Sequence, residues 1–307
     1  MGTPDFSVPS LRSIDDYFGV DLVITQPDKP KGRGKKLQPS AVKEEALRRN
    51  LRVLQPIKLR NDEEVIKEMK ALEPDFIIVV AYGQILSEEV LNIPKYGSIN
   101  LHASLLPKLR GAAPLNFAIM EGHKTSGSTT MLMDKGLDTG DMLLKQEVNL
   151  HDEMNVEELH DILSENGGDL LIKTMEGLVD GTITPIKQNH EESTHAPLLT
   201  KENMEIDWNQ SAKKINQKIR GLSPYPGAFT YGEQDKVKIL QAKVCEDSTG
   251  KNPGEILDVS PKGILVATGD GDLLIEKMQM PGKKAMMIDT YLNGNSFSIT
   301  NFKRRDE

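Results

Sequence analysis

Asn100, His102 and Asp138 are the residues of this chain whose types and spacing best suit chemistry at a carbonyl-like carbon. In "INLHASLLPKLRGAAP" (99–114), Ile99 and Leu101 alternate with Asn100 and His102. Alternation puts the amide and the imidazole on one face of a strand, roughly 7 Å apart. "GLDTGD" (136–141) sets Asp138 between glycines, 36 residues after the histidine, where backbone can approach a ligand closely. An amide and an imidazolium can steady a developing oxyanion, while a carboxylate can hold the ring charged and orient a proton-carrying water. The set suits acyl transfer without a covalent intermediate. No serine lies in a nucleophile-elbow pattern, and the single cysteine, Cys245, belongs to another part of the chain. Taken one at a time, these residues also fit plainer roles, a packed strand histidine and a turn aspartate. A buried asparagine beside the histidine weakens the first of these, because both groups then need partners.

The surrounding elements must position those groups. "VDLVIT" (20–25) reads as a strand and "SAVKEEALRRN" (40–50) as a helix with Ser40 as N-cap. "DEEVIKEMKAL" (62–72) is a second helix, with Val65, Ile66, Met69 and Leu72 on one stripe. "DFIIVVAYG" (75–83) is continuously apolar, as a strand buried on both faces of a parallel sheet would be. "GSINLHA" is a strand, "APLNFAIMEG" a helix and "GSTTMLM" another strand. This alternation predicts an α/β domain with an open, Rossmann-like sheet, whose ligands gather at the carboxyl ends of the strands. A long helix is expected over 155–181, loosened at Gly167 and Gly168, before a polar, aperiodic stretch that reads as a linker. One more helix, "SAKKINQKIRG", is expected to stop at Gly221. Five short strand-like runs follow and predict a small β-barrel of oligonucleotide-binding type. The expected division is a catalytic domain over 1–181, a linker over 182–200 and a barrel domain over 201–307.

Composition narrows the function classes. The chain has 307 residues, 37% hydrophobic and 27% charged, as ordinary soluble proteins do. Its longest apolar run is short, and no charged segment leads into an apolar one at the N-terminus, so a cytoplasmic protein with no membrane partner is expected. One cysteine excludes an intrachain disulfide and a cysteine-rich metal site. The net charge of −8 argues against nucleic-acid binding through a global positive field. The charge is uneven, however. Residues 201–307 carry 16 Lys+Arg against 15 Asp+Glu, and the remainder 22 against 31. "PDKPKGRGKK" (27–36) is locally basic but lacks the spacing of a Walker loop, leaving a solvated loop or a phosphate-backbone contact.

The first of these segments follows the pattern Asn-x-His-x-Ser-Leu-Leu-Pro-x-x-Arg-Gly, and with "GLDTGD" it resembles the signature of the folate-dependent formyltransferases. "MGTPDF", "VITQPDKPKGRGKKL", "VVAYGQIL", "IRGLSPYPGAFT" and "PGKKAM" extend the resemblance over nearly the whole chain, toward members that act on charged initiator tRNA. The resemblance implies a Rossmann-like domain followed by a barrel, and transfer of a formyl group from 10-formyltetrahydrofolate to the α-amine of methionine on initiator tRNA. It implies Asn100, His102 and Asp138 as the catalytic trio and no metal. Ser104, Leu105, Leu106 and Pro107 would help form the folate site, with Tyr82, Gly83 and Ile85 nearby. Arg33, Lys35 and Lys36 of the basic loop, and Lys213, Arg220, Lys283 and Lys284 of the C-terminal part, would contact tRNA. A monomer is expected. Family members carry a short apolar strand ahead of the "GTP" turn, so the resemblance also implies a central strand upstream of Met1, without which the sheet would have an uncovered edge.

Two other readings share these residues. The acceptor could be an amino-sugar nucleotide or glycinamide ribonucleotide, although a small acceptor needs neither a basic loop nor a barrel. The chain could also bind tRNA or folate with no catalysis, against which the intact trio argues.

Overall fold

The computed structural model describes residues 1–31, 36–233, 235–245 and 247–305. By its contacts the chain divides into two compact units, one of residues 1–114, 126–148 and 160–196, the other of residues 115–125, 149–159 and 197–307.

In the first unit, strand β1 (Val23–Ile24) is buried on both faces. Val23 packs on Val42 and Ala46, and Ile24 on Leu59, Ile66 and Met69, so helices must cover both sides. Those helices come from α1 (Val8–Tyr17), α2 (Ala41–Arg48) and α3 (Glu63–Ala71), the last two begun by Ser40 and Asp62, whose side chains accept from Lys43 N and Val65 N. The basic segment is a ribbon rather than a plain loop: β2 (Lys29–Lys31) pairs antiparallel with β3 (Lys36–Gln38). Arg33 and Lys35 lie outside the described residues. β1 pairs in parallel with β4 (Val53–Leu54). A second sheet holds β5 (Ile77–Val79), β6 (Ser98–His102), β7 (Thr125–Leu132) and β8 (Met142–Asn149) in that order, with short helix α4 (Glu88–Leu91) between β5 and β6 in sequence. β5 and β6 are parallel, and β6 and β7 antiparallel.

Met1 and Gly2 join the two sheets. Gly2 N donates to Ile24 O at 3.1 Å, Val80 N to Met1 O at 2.9 Å, and the Met1 amine to Ile78 O at 2.6 Å. Burial pushes that amine down to about 5. Beside it lies a cavity of about 630 Å³, lined by Val20, Leu22, Phe76 and Ile78 along its edges and by Leu11 and Met69 from the covering helices.

Helix α5 (Pro114–Met120) follows β6, and α6 (Val156–Val179) follows β8. α6 runs unbroken through Gly167 and Gly168, where a loosening is expected from sequence. The glycines serve close packing instead. A Cβ at Gly167 would come 2.5 Å from Leu101 Cδ2, and one at Gly168 2.3 Å from Ser13 Oγ. The polar stretch that reads as a linker is bonded into this unit as far as Ala196, through Ile186 on Met142 and Thr194 and Ala196 on Arg110.

The second unit holds all of α5 but its first residue, with α7 (Lys201–Met204), α8 (Ala212–Leu222) and α9 (Ile288–Leu292). Its antiparallel sheet is made of β9 (Ala228–Gly232), β10 (Asp235–Cys245), β11 (Ile256–Ser260), β12 (Gly263–Ala267), β13 (Asp272–Gln279), β14 (Met286–Met287) and β15 (Phe302–Lys303). The order is β11-β12-β13-β10-β9-β15, with β14 on β13. β10 pairs with β9 along its first half and with β13 along its second, and register shifts near Gln241 bend it between the two. The ends of the sheet meet through the Glu255–Asn301 bridge, with Ile256 N donating to Thr300 O at 3.0 Å, so the sheet curls into a barrel. Ile215, Ile219 and Leu222 of α8 fill its core with Trp208, Ile239, Ile275 and Phe302. α8 ends at Leu222, one residue past Gly221. A Cβ at Gly221 would come 2.5 Å from Met120 Cγ, so the glycine lets α5 approach.

Candidate active site

β6 runs between β5 and β7, and its register sets Asn100 opposite Val79 and Met131. Pairing on both edges fixes the backbone that carries Asn100 and His102. His102 is buried. Its Nε2–H donates to Leu109 O at 3.0 Å, which leaves Nδ1 facing Asp138 Oδ2 at 3.6 Å. Asn100 is half-buried, and among the described residues its side-chain amide has no protein partner. The strand has placed a fixed, unsatisfied amide two residues from a histidine whose ring is held from both sides.

Asp138 reaches the ring from a closed turn. Its φ of +53° is left-handed. Asp134 Oδ1 ties that turn by accepting from Gly136 N at 2.9 Å and Thr139 Oγ1 at 2.7 Å. Gly140 has to be glycine, since a Cβ would fall 1.7 Å from Leu132 O. The Asp138 carboxylate also accepts from Gly111 N at 2.8 Å, so it bridges the turn after Leu109 and the histidine that this turn holds.

The segment after β6 is pinned just as closely. Ser104 Oγ donates to Lys108 O at 2.6 Å, and Thr129 Oγ1 donates to Ser104 O at 2.7 Å while accepting from Leu106 N at 3.1 Å. Lys145 Nζ donates to Leu106 O at 2.5 Å, and the Leu106–Pro107 bond is cis. Ser104 and Leu106 are buried and Leu105 half-buried. Tyr82, Gly83 and Ile85 leave the carboxyl end of β5, the parallel neighbour of β6. Tyr82 is buried, and among the described residues its hydroxyl, which burial pushes up to about 12, has no partner. Its carbonyl accepts from Thr3 Oγ1 and Gln26 Nε2, both at 2.9 Å. Gly83 has φ +77°, and Ile85 is exposed.

Among the expected polyanion contacts, Lys36, Lys213, Lys283 and Lys284 are exposed. Lys283 also donates to Asn295 Oδ1 and lies 5.1 Å from the Tyr291 ring centroid. Arg220 is half-buried and committed to its own unit, with Nη1 donating to Met154 O at 2.7 Å and Nε to Asn216 Oδ1 at 2.9 Å. Among the described residues, no three His, Cys, Asp or Glu side chains gather as a metal site would need, and no helix is long and apolar enough to cross a membrane. Sequence reasoning missed Arg110, Thr129, Lys145 and Gln188, which brace the turns around His102. The Arg-Gly of the motif was a pointer to the first, and nothing in the patterning pointed to the other three.

Comparison with known proteins covers both units. The family model "Formyl transferase" matches residues 11–175, and "Formyl transferase, C-terminal domain" matches residues 198–296. The chain is 56% identical over 299 residues to the methionyl-tRNA formyltransferase of Clostridium perfringens (strain 13 / Type A), covering 97% of each chain. Among solved structures, it is similar to a methionyl-tRNA formyltransferase from Clostridium thermocellum, at 25% identity and TM-score 0.51 over 66% of this chain and 83% of that one. An N-formyltransferase from Helicobacter canadensis, solved with folinic acid and dTDP-3-aminofucose, shares the fold at 19% identity and TM-score 0.68, over 91% of this chain and 97% of that one.

Proposed function

The chain belongs to the methionyl-tRNA formyltransferase family, and on that premise we propose that Asn100, His102 and Asp138 carry formyl transfer from 10-formyltetrahydrofolate to the α-amine of methionine on initiator tRNA. The single observation that carries the assignment is the approach of the Asp138 carboxylate to 3.6 Å from His102 Nδ1, on the same strand face as an amide with no partner among the described residues.

The chemistry follows from where donors and acceptors lie. The uncharged amine attacks the formyl carbon, forming one C–N bond and pushing electrons onto the formyl oxygen. Asn100 donates its amide N–H to that oxygen, and His102 supplies positive charge from Nδ1. Leu109 O fixes the ring by occupying Nε2, and Asp138, itself held by Gly111 N, keeps a negative charge beside Nδ1. The amine gives up a proton through water on the Asp138 side. A proton reaches the folate nitrogen as its bond to the formyl carbon breaks. Charges balance without a metal or a covalent intermediate.

Ser104 to Pro107 and Tyr82 to Ile85 line the two strand ends from which a folate would be held. Lys36, Lys213, Lys283 and Lys284 are the exposed cations offered to tRNA phosphates, with Arg220 giving support from within; Arg33 and Lys35 are proposed from the sequence alone. A monomer acting in the cytoplasm fits this reading.

Incubation with 10-formyltetrahydrofolate and charged initiator tRNA is expected to yield formylmethionyl-tRNA. Formylation of a dTDP-amino sugar with none of the tRNA would replace the proposal. Substituting alanine for both Lys283 and Lys284 should weaken tRNA binding by roughly tenfold or more. The log–log salt slope should flatten by about 2, one unit for each phosphate that is no longer neutralised. A filter-binding titration over a range of salt reads both quantities, and an unchanged slope would remove these lysines from the interface.

A further inference from the structure

Gln188 lies in the polar stretch that sequence reads as a linker, yet it is buried and uses its whole amide. Its Oε1 accepts from Arg110 Nε at 3.1 Å and Arg110 Nη2 at 2.6 Å. Its Nε2 donates to Asp138 O and to Gly140 O, both at 2.8 Å. Only one orientation of the amide meets all four partners, because the opposite one would set N–H against N–H and oxygen against oxygen. Arg110 is buried too, and its remaining contact is Nη1 with His190 Nδ1 at 3.2 Å. The chain on either side of Gln188 is anchored. Ile186 exchanges backbone hydrogen bonds with Met142, both at 2.8 Å. Thr194 and Ala196 bond the 109–113 turn, and a Cβ at Gly111 would fall 2.7 Å from Ala196 O.

These bonds close a loop around His102. The Asp138 turn and the Arg110–Gly111 turn each hold the ring from one side, and Gln188 ties the two turns to each other beside the bond from Gly111 N to the Asp138 carboxylate. We propose that Gln188 is a positioning residue for formyl transfer, locking the left-handed turn of Asp138 against Arg110 so that the carboxylate stays at His102 Nδ1. The inference rests on the catalytic trio proposed above and adds a residue that touches no reacting atom. Misplacing a catalytic group by about 1 Å can cost on the order of 10² in rate, so a side chain acting only through Asp138 can still have a large effect.

The test compares two substitutions. Gln188→Met keeps the volume and removes every hydrogen bond. Gln188→Glu keeps an acceptor for Arg110 and removes both donors to the Asp138 turn. Each is expected to lower kcat by about 10- to 100-fold with KM for both substrates within about threefold. In each, hydrogen exchange at the Gly111 amide, which donates to Asp138, should speed up by about tenfold or more. Near-normal kcat in the Gln188→Glu protein would overturn the proposal, since the bond to Arg110 alone would then suffice. A fall in kcat with unchanged Gly111 exchange would overturn it as well. If the unsubstituted chain forms no formylmethionine, it is the proposed function that fails. Gly111 exchange in the two variants then still decides whether Gln188 holds the turn, and the Gln188→Glu protein supplies it should Gln188→Met fold poorly.

Discussion

His102→Ala and Asp138→Asn are each expected to lower kcat for formyl transfer by about 10²–10⁴ while the Kd for initiator tRNA stays within about twofold. The ring is buried and so presents no surface to tRNA, with Nε2 held by Leu109 O and Nδ1 facing Asp138 at 3.6 Å, and on the proposed mechanism its loss acts at the formyl oxygen. Asp138→Asn is the more discriminating change. An asparagine carbonyl can still accept from Gly111 N, so the turn keeps its place, but a neutral amide replaces the charge beside Nδ1. Loss of rate with the Gly111 bond kept would separate the carboxylate's charge from its anchoring role. The double substitution should cost scarcely more than the worse single one, because residues acting as a unit are strongly non-additive. Single-turnover measurements at saturating folate read this directly. Rates within tenfold of the unsubstituted enzyme for either variant would remove that residue from the chemistry.

The placement of the candidate trio was legible because its signals are local: alternation set Asn100 and His102 on one strand, and flanking glycines put Asp138 in a turn. The sheet was legible for a similar reason, since strands buried on both faces read as unbroken apolar runs such as "FIIVVAY". What failed was the meaning of glycines in helices. Gly167 and Gly168 suggested a weak point, but a missing Cβ is also the way to bring a helix against a side chain at short range, and only packing tells the two apart. The bracing of the site was illegible for a deeper reason. Gln188 meets Arg110 across 78 residues and Asp138 across 50, and such hydrogen bonds leave no periodicity in the chain. Barrel closure between Glu255 and Asn301 is hidden in the same way. The family resemblance supplied the substrates, which no residue pattern names.

Asn100→Ala should lower kcat by about 10²–10³, the cost of one oxyanion donor or roughly 3–4 kcal/mol, with KM for folate nearly unchanged. Asn100→Asp should be worse still. The register of β6 against Val79 and Met131 holds position 100 whatever its side chain, so the comparison isolates the group it presents. Alanine removes a donor, whereas aspartate sets negative charge where negative charge is about to form, so the order of rates should be asparagine, alanine, aspartate. Stability should move the other way. A half-buried amide with no partner among the described residues contributes little to folding, because its removal breaks no hydrogen bond within them. The Asn100→Ala protein should therefore melt at or above the temperature of the unsubstituted chain, as is common where function and stability compete. Aspartate faster than alanine would mean that position 100 meets a developing cation instead. The amide would then belong to binding, and the oxyanion would have to rest on His102 alone.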